Sequence, residues 1–208
     1  MKICIDPGHG GKDPGAVGPN GLYEARVNLD VAEKIVAQLE QLGTSAALTR
    51  KRDVFIELSA RCEFANDWDA DYFVSIHCNS DGPSAVGIET LYKTEDGESL
   101  AKPIQELMIT ATGDKDRGLK YRSDLYVLNA TDMAAALAEI GFISNPNCEI
   151  MLGTERYRDL IADAIVAGIA NVCDSSALFQ HFRPKGTDFD ICIMRGSYCI
   201  AKYSGPFF

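Results

Sequence analysis

The 208-residue sequence lacks the features that define several classes of protein. Its apolar runs fall far short of the ~18 residues of a membrane-spanning helix, so no membrane insertion is expected. Acidic side chains outnumber basic ones, and a net charge of −10 at pH 7 argues against a nucleic-acid-binding surface. Met1 and Lys2 lead directly into a predicted strand, which leaves no room for a signal peptide. We therefore expect either a trimmed export signal or another route out of the cell.

A disulfide framework is also not expected. The seven cysteines are an odd number and include no CxxC pair. Cys4, Cys78 and Cys173 lie in or beside predicted regular elements, as small reduced core residues do. Cys78 follows His77 and is a conceivable ligand or nucleophile. Because successive strand residues point to opposite faces, we expect it in the core instead.

Strand-like and helix-like segments alternate along residues 1–173. This alternation predicts one α/β domain: a mostly parallel, twisted sheet of about six strands with helices on both faces. Pro103 is expected to kink its helix or to mark the first turn. The predicted strands are 2–6, 45–49, 71–76, 86–92, 124–128 and 134–140, and the predicted helices are 25–42, 56–67, 98–111 and 154–172.

Two of the three histidines and one glutamate follow buried strand-like runs. His9 comes after the first strand, His77 after the third, and Glu139 after the apolar run 134–138. In open α/β sheets, ligands bind beyond the carboxyl ends of the strands. Imidazole and carboxylate groups at that edge predict a zinc hydrolase site.

The glycine-rich loop 8–15 resembles two familiar motifs but matches neither. A phosphate-binding loop needs Ser or Thr after Gly-Lys, whereas Asp13 follows Lys12. The His-Gly-Gly loop of esterases needs a GxSxG nucleophile segment, which the chain lacks. Glycines around His9 would let a metal and a bulky substrate approach the backbone. The alternative is a turn histidine with ordinary hydrogen bonds.

Glu24 opens the first long helix, where the glycine loop returns to the same edge. A glutamate there is often present for the helix dipole. With His9 and His77, however, it would leave the fourth position of zinc free for water, which is the catalytic pattern. Calcium and magnesium prefer oxygen ligands, whereas copper or nickel would also bind this set. Asn79 is a candidate to contact substrate or to support a ligand.

Glu139 ends an otherwise apolar strand, where a carboxylate is costly unless it is paired or functional. Beside a metal it could take a proton from water and return it to a leaving amine. The alternative is a structural salt bridge with Arg117 or Arg61.

Six segments stand out, in order over roughly residues 2–172: Ile5–Ala16, Asn20–Glu24, Leu48–Arg50, Arg61 with Ala65–Asn66, Val74–Asn79 and Glu139–Asn145. Together they resemble the zinc-dependent N-acetylmuramoyl-L-alanine amidases of the amidase-3 type. The resemblance implies that His9, Glu24 and His77 bind Zn²⁺ and that Glu139 is the catalytic carboxylate. It implies peptidoglycan as substrate, cut between the lactyl group of N-acetylmuramic acid and L-alanine.

Stem peptides carry free carboxylates, so an acidic protein needs a local basic group to receive them. Arg117 and Lys120 are the candidates, although a solvated loop is the simpler interpretation of their segment. The competing functions are a zinc peptidase acting within the stem peptide and a non-catalytic wall-binding module. The missing signal sequence favours a phage-type endolysin made in the host cytoplasm over a trimmed export precursor.

The C-terminal extension, residues 174–208, differs from the domain before it. It contains seven Phe or Tyr residues, with four basic and three acidic side chains. Aromatic residues at this density are rarely left solvated. We expect a strand pair or arm packed on the domain, or else a small wall-binding or subunit-contact element. The oligomeric state is not predicted.

Overall fold

A computed structural model describes residues 1–173 and, beyond them, the backbone of three strands. The strands are β1 Lys2–Pro7, β2 Ser45–Leu48, β3 Tyr72–Asn79, β4 Ile88–Tyr92, β5 Asp116–Tyr121, β6 Ala134–Phe142, β7 Phe182–Lys185, β8 Asp188–Arg195 and β9 Tyr198–Pro206. The helices are α1 Glu24–Gln41, α2 Leu58–Asp67, α3 Glu95–Thr112, α4 Tyr126–Asn129, α5 Pro146–Gly153 and α6 Glu155–Val172.

The central sheet has six strands in the order β2-β1-β3-β6-β4-β5. The first four of these are parallel to one another, whereas β4 runs antiparallel to β6 and β5 runs parallel to β4. The predicted single α/β domain with a mostly parallel sheet is therefore confirmed. The arrangement brings the carboxyl ends of β1, β3 and β6 to one edge, where α/β folds bind ligands.

Helices cover both faces of the sheet, as predicted. Side chains of α1, α3 and α6 form one apolar cluster with the strands, and this cluster contains Val74 and Ile76 of β3. The other cluster contains Phe73 of β3 with side chains of α2 and α4. Because side chains alternate along a strand, His77 lies on the same face as Phe73, towards α2 and α4. None of the helices in the described part of the chain could cross a bilayer.

The predicted strand at 124–128 is wrong. Residues Tyr126–Asn129 form the short helix α4, and the strand lies earlier, at Asp116–Tyr121. Val127 and Leu128 are buried against the sheet, but a short apolar run does not distinguish a strand from a buried helical turn. The edge strand β5 is largely exposed and contains Gly118 among charged residues, so it carries no strand-like apolar pattern.

Two further differences concern helices. Pro103 lies inside α3 and not in its first turn, because α3 begins at Glu95 after a cap in which the Thr94 side chain accepts a hydrogen bond from Gly97 N. Helix α5 was not predicted. It begins at Pro146 behind Asn145, whose side chain accepts hydrogen bonds from the backbone at 147 and 148.

The backbone of the C-terminal extension includes a separate antiparallel sheet in the order β7-β8-β9. The side chains of these strands lie outside the described part of the protein. The predicted role of residues 174–208, in packing, wall binding or subunit contact, therefore stays a prediction.

Candidate metal centre

His9, Glu24 and His77 converge on one point at the edge of the sheet. Glu24 Oε1 lies 3.2 Å from His9 Nε2 and 2.9 Å from His77 Nδ1. One ligand atom from each residue lies within 4.8 Å of the other two. Two imidazole nitrogens and one carboxylate oxygen in this arrangement match the ligand set of a catalytic zinc site, so the residues fit a zinc ion.

The position of Glu24 does not follow from the helix dipole. Its carboxylate accepts hydrogen bonds from Ala16 N at 2.8 Å and from Cys78 N at 3.0 Å, which belong to the glycine loop and to β3. The Glu24 side chain is almost fully buried. Its described hydrogen bonds do not include one to a backbone N–H of the first turn of α1. The carboxylate therefore faces the two histidines.

Electrostatics in this cluster favour an ion pair when no metal is bound. Burial lowers the pKa of His9, but hydrogen bonds and charge from Glu24 and Asp13 outweigh it and raise that pKa to about 9. Burial raises the pKa of Glu24, but hydrogen bonds from His77 and His9 lower it far below its usual range. A metal must therefore displace a proton from His9, because only a neutral imidazole is a ligand.

Asp13 orients His9, and the sequence analysis missed this role. His9 Nδ1 donates a hydrogen bond to Asp13 Oδ2 at 2.8 Å, which leaves Nε2 directed at Glu24. Metal-binding histidines commonly have such a carboxylate partner on the other ring nitrogen. The signal was present as an acidic residue four positions after His9, within the same glycine loop.

Two glycines make room for the ligand side chains. A Cβ atom added at Gly8 would overlap the ring of His77, and one at Gly15 would lie 2.6 Å from Glu24 Oε2. Gly15 also has a φ of 67°, a conformation that costs other residues energy. These two glycines therefore admit the imidazole and carboxylate groups of the site, whereas the approach of a metal and a bulky substrate to the backbone stays a prediction.

Two buried arginines bind the backbone carbonyl groups around Gly8, at the start of the glycine loop. Arg61 forms a 2.7 Å ion pair with Asp6 and donates a hydrogen bond to His9 O at 2.8 Å. Arg50 donates to Pro7 O at 2.9 Å and to Gly8 O at 2.9 Å. These contacts fix the backbone on both sides of Gly8 and therefore the position of the His9 backbone, from which its side chain extends to the site.

Glu139 lies on the strand next to the cluster. It is the neighbour of His77 in the parallel pair β3–β6, so both side chains lie on the α2/α4 face. Its Oε2 is buried and has no hydrogen-bond partner in the described part of the chain. The two arginines considered as salt-bridge partners bind elsewhere, Arg61 to Asp6 and Arg117 to Glu89. Burial, reinforced by nearby carboxylates, raises the pKa of Glu139 to about 7.

Glu89 connects two of the predicted substrate-binding residues, and it was not predicted. Its carboxylate accepts a hydrogen bond from Asn79 Nδ2 at 2.8 Å and one from Arg117 Nε at 2.8 Å. Glu89 is also the cross-strand neighbour of Glu139 in the antiparallel pair β4–β6. Lys120 is exposed on β5 and is the neighbour of Leu91 in the parallel pair β4–β5, which places its side chain on the same face of the sheet as Glu89 and Glu139.

Cys78 lies in the apolar cluster on the opposite face from His77, as expected. Burial raises the pKa of its thiol well above the usual value, so no thiolate is available there.

A cleft of about 400 Å³ opens on one side of the cluster. His9 and His77 line it together with apolar side chains before and within α2 and α4, and with the charged side chains of Asp6, Asp13, Glu57 and Arg61. A concave apolar site beside convergent polar groups is the usual form of a substrate pocket.

Comparison with known proteins identifies the family of the chain. Residues 3–171 match the model of the Amidase_3 family, described as N-acetylmuramoyl-L-alanine amidase. The chain belongs to the Amidase_3 family. Solved structures similar to it include the catalytic domain of CwlV, an N-acetylmuramoyl-L-alanine amidase from Bacillus (Paenibacillus) polymyxa var. colistinus. That structure has a TM-score of 0.80 at 38% identity, covering 83% of this chain and 98% of CwlV.

Two curated Amidase_3 relatives come from Bacillus subtilis (strain 168). YqiI is 43% identical over 83% of this chain and 84% of its own length. The N-acetylmuramoyl-L-alanine amidase LytC is 39% identical over 80% of this chain, but the match covers only 34% of LytC. The chain therefore corresponds to about a third of LytC.

Proposed function

We propose that this Amidase_3 protein is a zinc-dependent enzyme that hydrolyses the amide bond between N-acetylmuramic acid and L-alanine in peptidoglycan. The observation that carries the proposal is the convergence of His9, Glu24 and His77 beside Glu139, whose buried Oε2 has no hydrogen-bond partner among the described residues, within a chain of this family. Zinc held by these three residues would polarise the amide carbonyl and lower the pKa of the attacking water.

Glu139 supplies the proton transfer. Its carboxyl group accepts a proton from the attacking water and then donates it to the nitrogen of the departing alanine. In the metal-free protein, burial raises the pKa of this carboxyl group to about 7, which makes its carboxylate a stronger proton acceptor than an exposed glutamate. The missing hydrogen-bond partner at Oε2 leaves that oxygen available for the exchange.

Asn79, Arg117 and Lys120 are proposed to contact the stem peptide. Arg117 is supported by its fixed position, since Glu89 accepts a hydrogen bond from Nε while 32% of the Arg117 side chain stays exposed. Its guanidinium also stacks 4.7 Å from the ring of Phe142. Asn79 contributes through its second amide hydrogen, and Lys120 as an exposed charge on the same face of the sheet.

Digestion of purified peptidoglycan, followed by mass spectrometry, tests the proposed bond. An amidase releases peptides that begin with L-alanine and glycan strands free of peptide. A zinc peptidase would leave alanine on the muramic acid, and a non-catalytic wall-binding module would release nothing. Loss of activity on exhaustive chelation, with recovery on adding zinc, tests the metal.

Substitution of Glu139 tests the catalytic role. Glu139→Gln should keep the fold and zinc binding while turnover falls by at least about 10²-fold, because the proton acceptor is removed. Glu106→Gln, an exposed change on α3, is the matched control and should keep full activity. Near-normal turnover in Glu139→Gln would remove this residue from the mechanism.

The proposed site of action is the bacterial cell wall, with peptidoglycan as partner. The route to the wall, as a phage-type endolysin released from the host cytoplasm or as a trimmed export precursor, stays a prediction.

A further inference from the structure

The cleft beside the metal centre has apolar walls from two separate elements. Phe55 and Leu58 form one wall just before and at the start of α2, and Tyr126 forms the other at the start of α4. Leu58 and Tyr126 keep 53% and 47% of their surface exposed. Exposed apolar side chains that line one cleft next to convergent polar groups indicate a ligand surface.

Beyond Glu139, the same face of the sheet is polar. Glu139 on β6, Glu89 on β4 and Arg117 on β5 follow one another across neighbouring strands, and none of the three lines the cleft. The site is therefore asymmetric: the cleft with its apolar residues lies next to α2 and α4, and an ion-paired network lies on the strands beyond Glu139.

The position of Glu139 fixes how a substrate lies across this asymmetry, an argument that rests on the proposed function. Glu139 must reach the amide nitrogen to protonate it as the peptide leaves. The stem peptide then extends past Glu139 towards Glu89 and Arg117. The acyl half of the substrate, the lactyl group and its sugar, extends the other way, into the cleft.

Charge in the cleft leads to the same orientation. Asp6, Asp13 and Glu57 line it, and Arg61, the one Arg or Lys among its lining residues, is already paired with Asp6. Stem peptides carry free carboxylates, and away from the metal ligands no lining Lys or Arg is left to pair with them. The muramoyl unit within a glycan is uncharged, because its carboxyl group forms the amide, and its acetyl and lactyl methyl groups suit apolar walls.

We propose that the cleft binds the N-acetylmuramoyl unit and that Leu58 and Tyr126 are specificity-determining residues for the sugar. They contact the half of the substrate that does not leave with the alanine nitrogen. Arg117 lies on the other side of the scissile bond and acts on the peptide half.

Two synthetic substrates separate the contributions of sugar and peptide. N-acetylmuramoyl-L-alanyl-D-glutamate carries the sugar, and D-lactyl-L-alanyl-D-glutamate lacks it. The wild type should prefer the first in kcat/KM. In Leu58→Ser and in Tyr126→Ala this preference should fall by roughly tenfold, the range for losing part of an apolar contact. Phe64→Ala, on α2 but outside the cleft and 40% exposed, should keep the preference within about twofold.

The alternative outcomes are distinct. If the wild type cleaves only the muramoyl compound, each cleft variant must lose about tenfold in kcat/KM on it, while Phe64→Ala keeps the wild-type value. Equal wild-type rates on both compounds, or an unchanged preference in both cleft variants, would overturn the proposal. Cleavage between alanine and glutamate, seen as a different product mass, would refute the proposed function itself and the substrate orientation with it.

Discussion

Removing Asp13 should weaken metal binding without disturbing the fold. The carboxylate holds His9 Nδ1 at 2.8 Å, and it also accepts a hydrogen bond from Gly15 N at 3.1 Å. Loss of such a partner typically lowers metal affinity by about 10- to 100-fold. The Asp13 side chain is 42% exposed, so water screens the interaction and the lower end applies. We expect Asp13→Ala to weaken zinc binding roughly tenfold, or about 1.4 kcal/mol.

Competition with a chromophoric chelator at fixed pH would measure this change. Asp53→Ala is the matched control, because Asp53 accepts a 2.7 Å hydrogen bond from Gly11 N in the same loop and is not among the residues that contact His9. Asp13→Asn should fall between the wild type and Asp13→Ala, since it keeps an oxygen acceptor but loses the charge. Unchanged affinity in Asp13→Ala, or an equal loss in Asp53→Ala, would show that the carboxylate does not orient His9 for the metal.

Three further predictions concern the same loop and its supports. The raised pKa of His9 stabilises the metal-free protein fully below pH 6.5, and this stabilisation is lost as pH rises through about 9. Apparent zinc affinity should therefore rise with pH between about 6.5 and 9, because the metal no longer has to displace a proton. Calorimetry in buffers of different ionisation enthalpy would detect the proton that zinc releases. Gly8→Ala should abolish zinc binding because the added methyl overlaps His77, whereas Gly82→Ala meets nothing within 4 Å and should bind normally. Glu149→Ala should lower the free energy of unfolding by about 1–3 kcal/mol in urea titrations, because buried Glu149 accepts hydrogen bonds from Asn20 N and Leu22 N; an unchanged denaturation midpoint would contradict this.

The sequence correctly indicated the strands whose ends carry the site, but it did not reveal the residues and strands that surround the site. His9, His77 and Glu139 follow apolar runs, so the edge that they share follows from parallel strand order. Glu89 gave no such signal, because a glutamate in an alternating strand looks like a solvated side chain. Only the antiparallel pairing of β4 with β6 brings it beside Glu139. The misplaced strand at 124–128 has a similar cause, since the exposed edge strand β5 lacks an apolar pattern.

What the sequence alone determined is the alternation of elements and the chemistry at the strand ends. Both are local properties, set by side-chain periodicity and by residue types within a few positions of one another. What only the tertiary structure decided is which partners those groups receive: Asp6 for Arg61, Glu89 for Arg117, and, within the described residues, none for Glu139 Oε2. These contacts join residues far apart in the chain, and they depend on how helices pack on the sheet, which leaves no periodic pattern in the sequence.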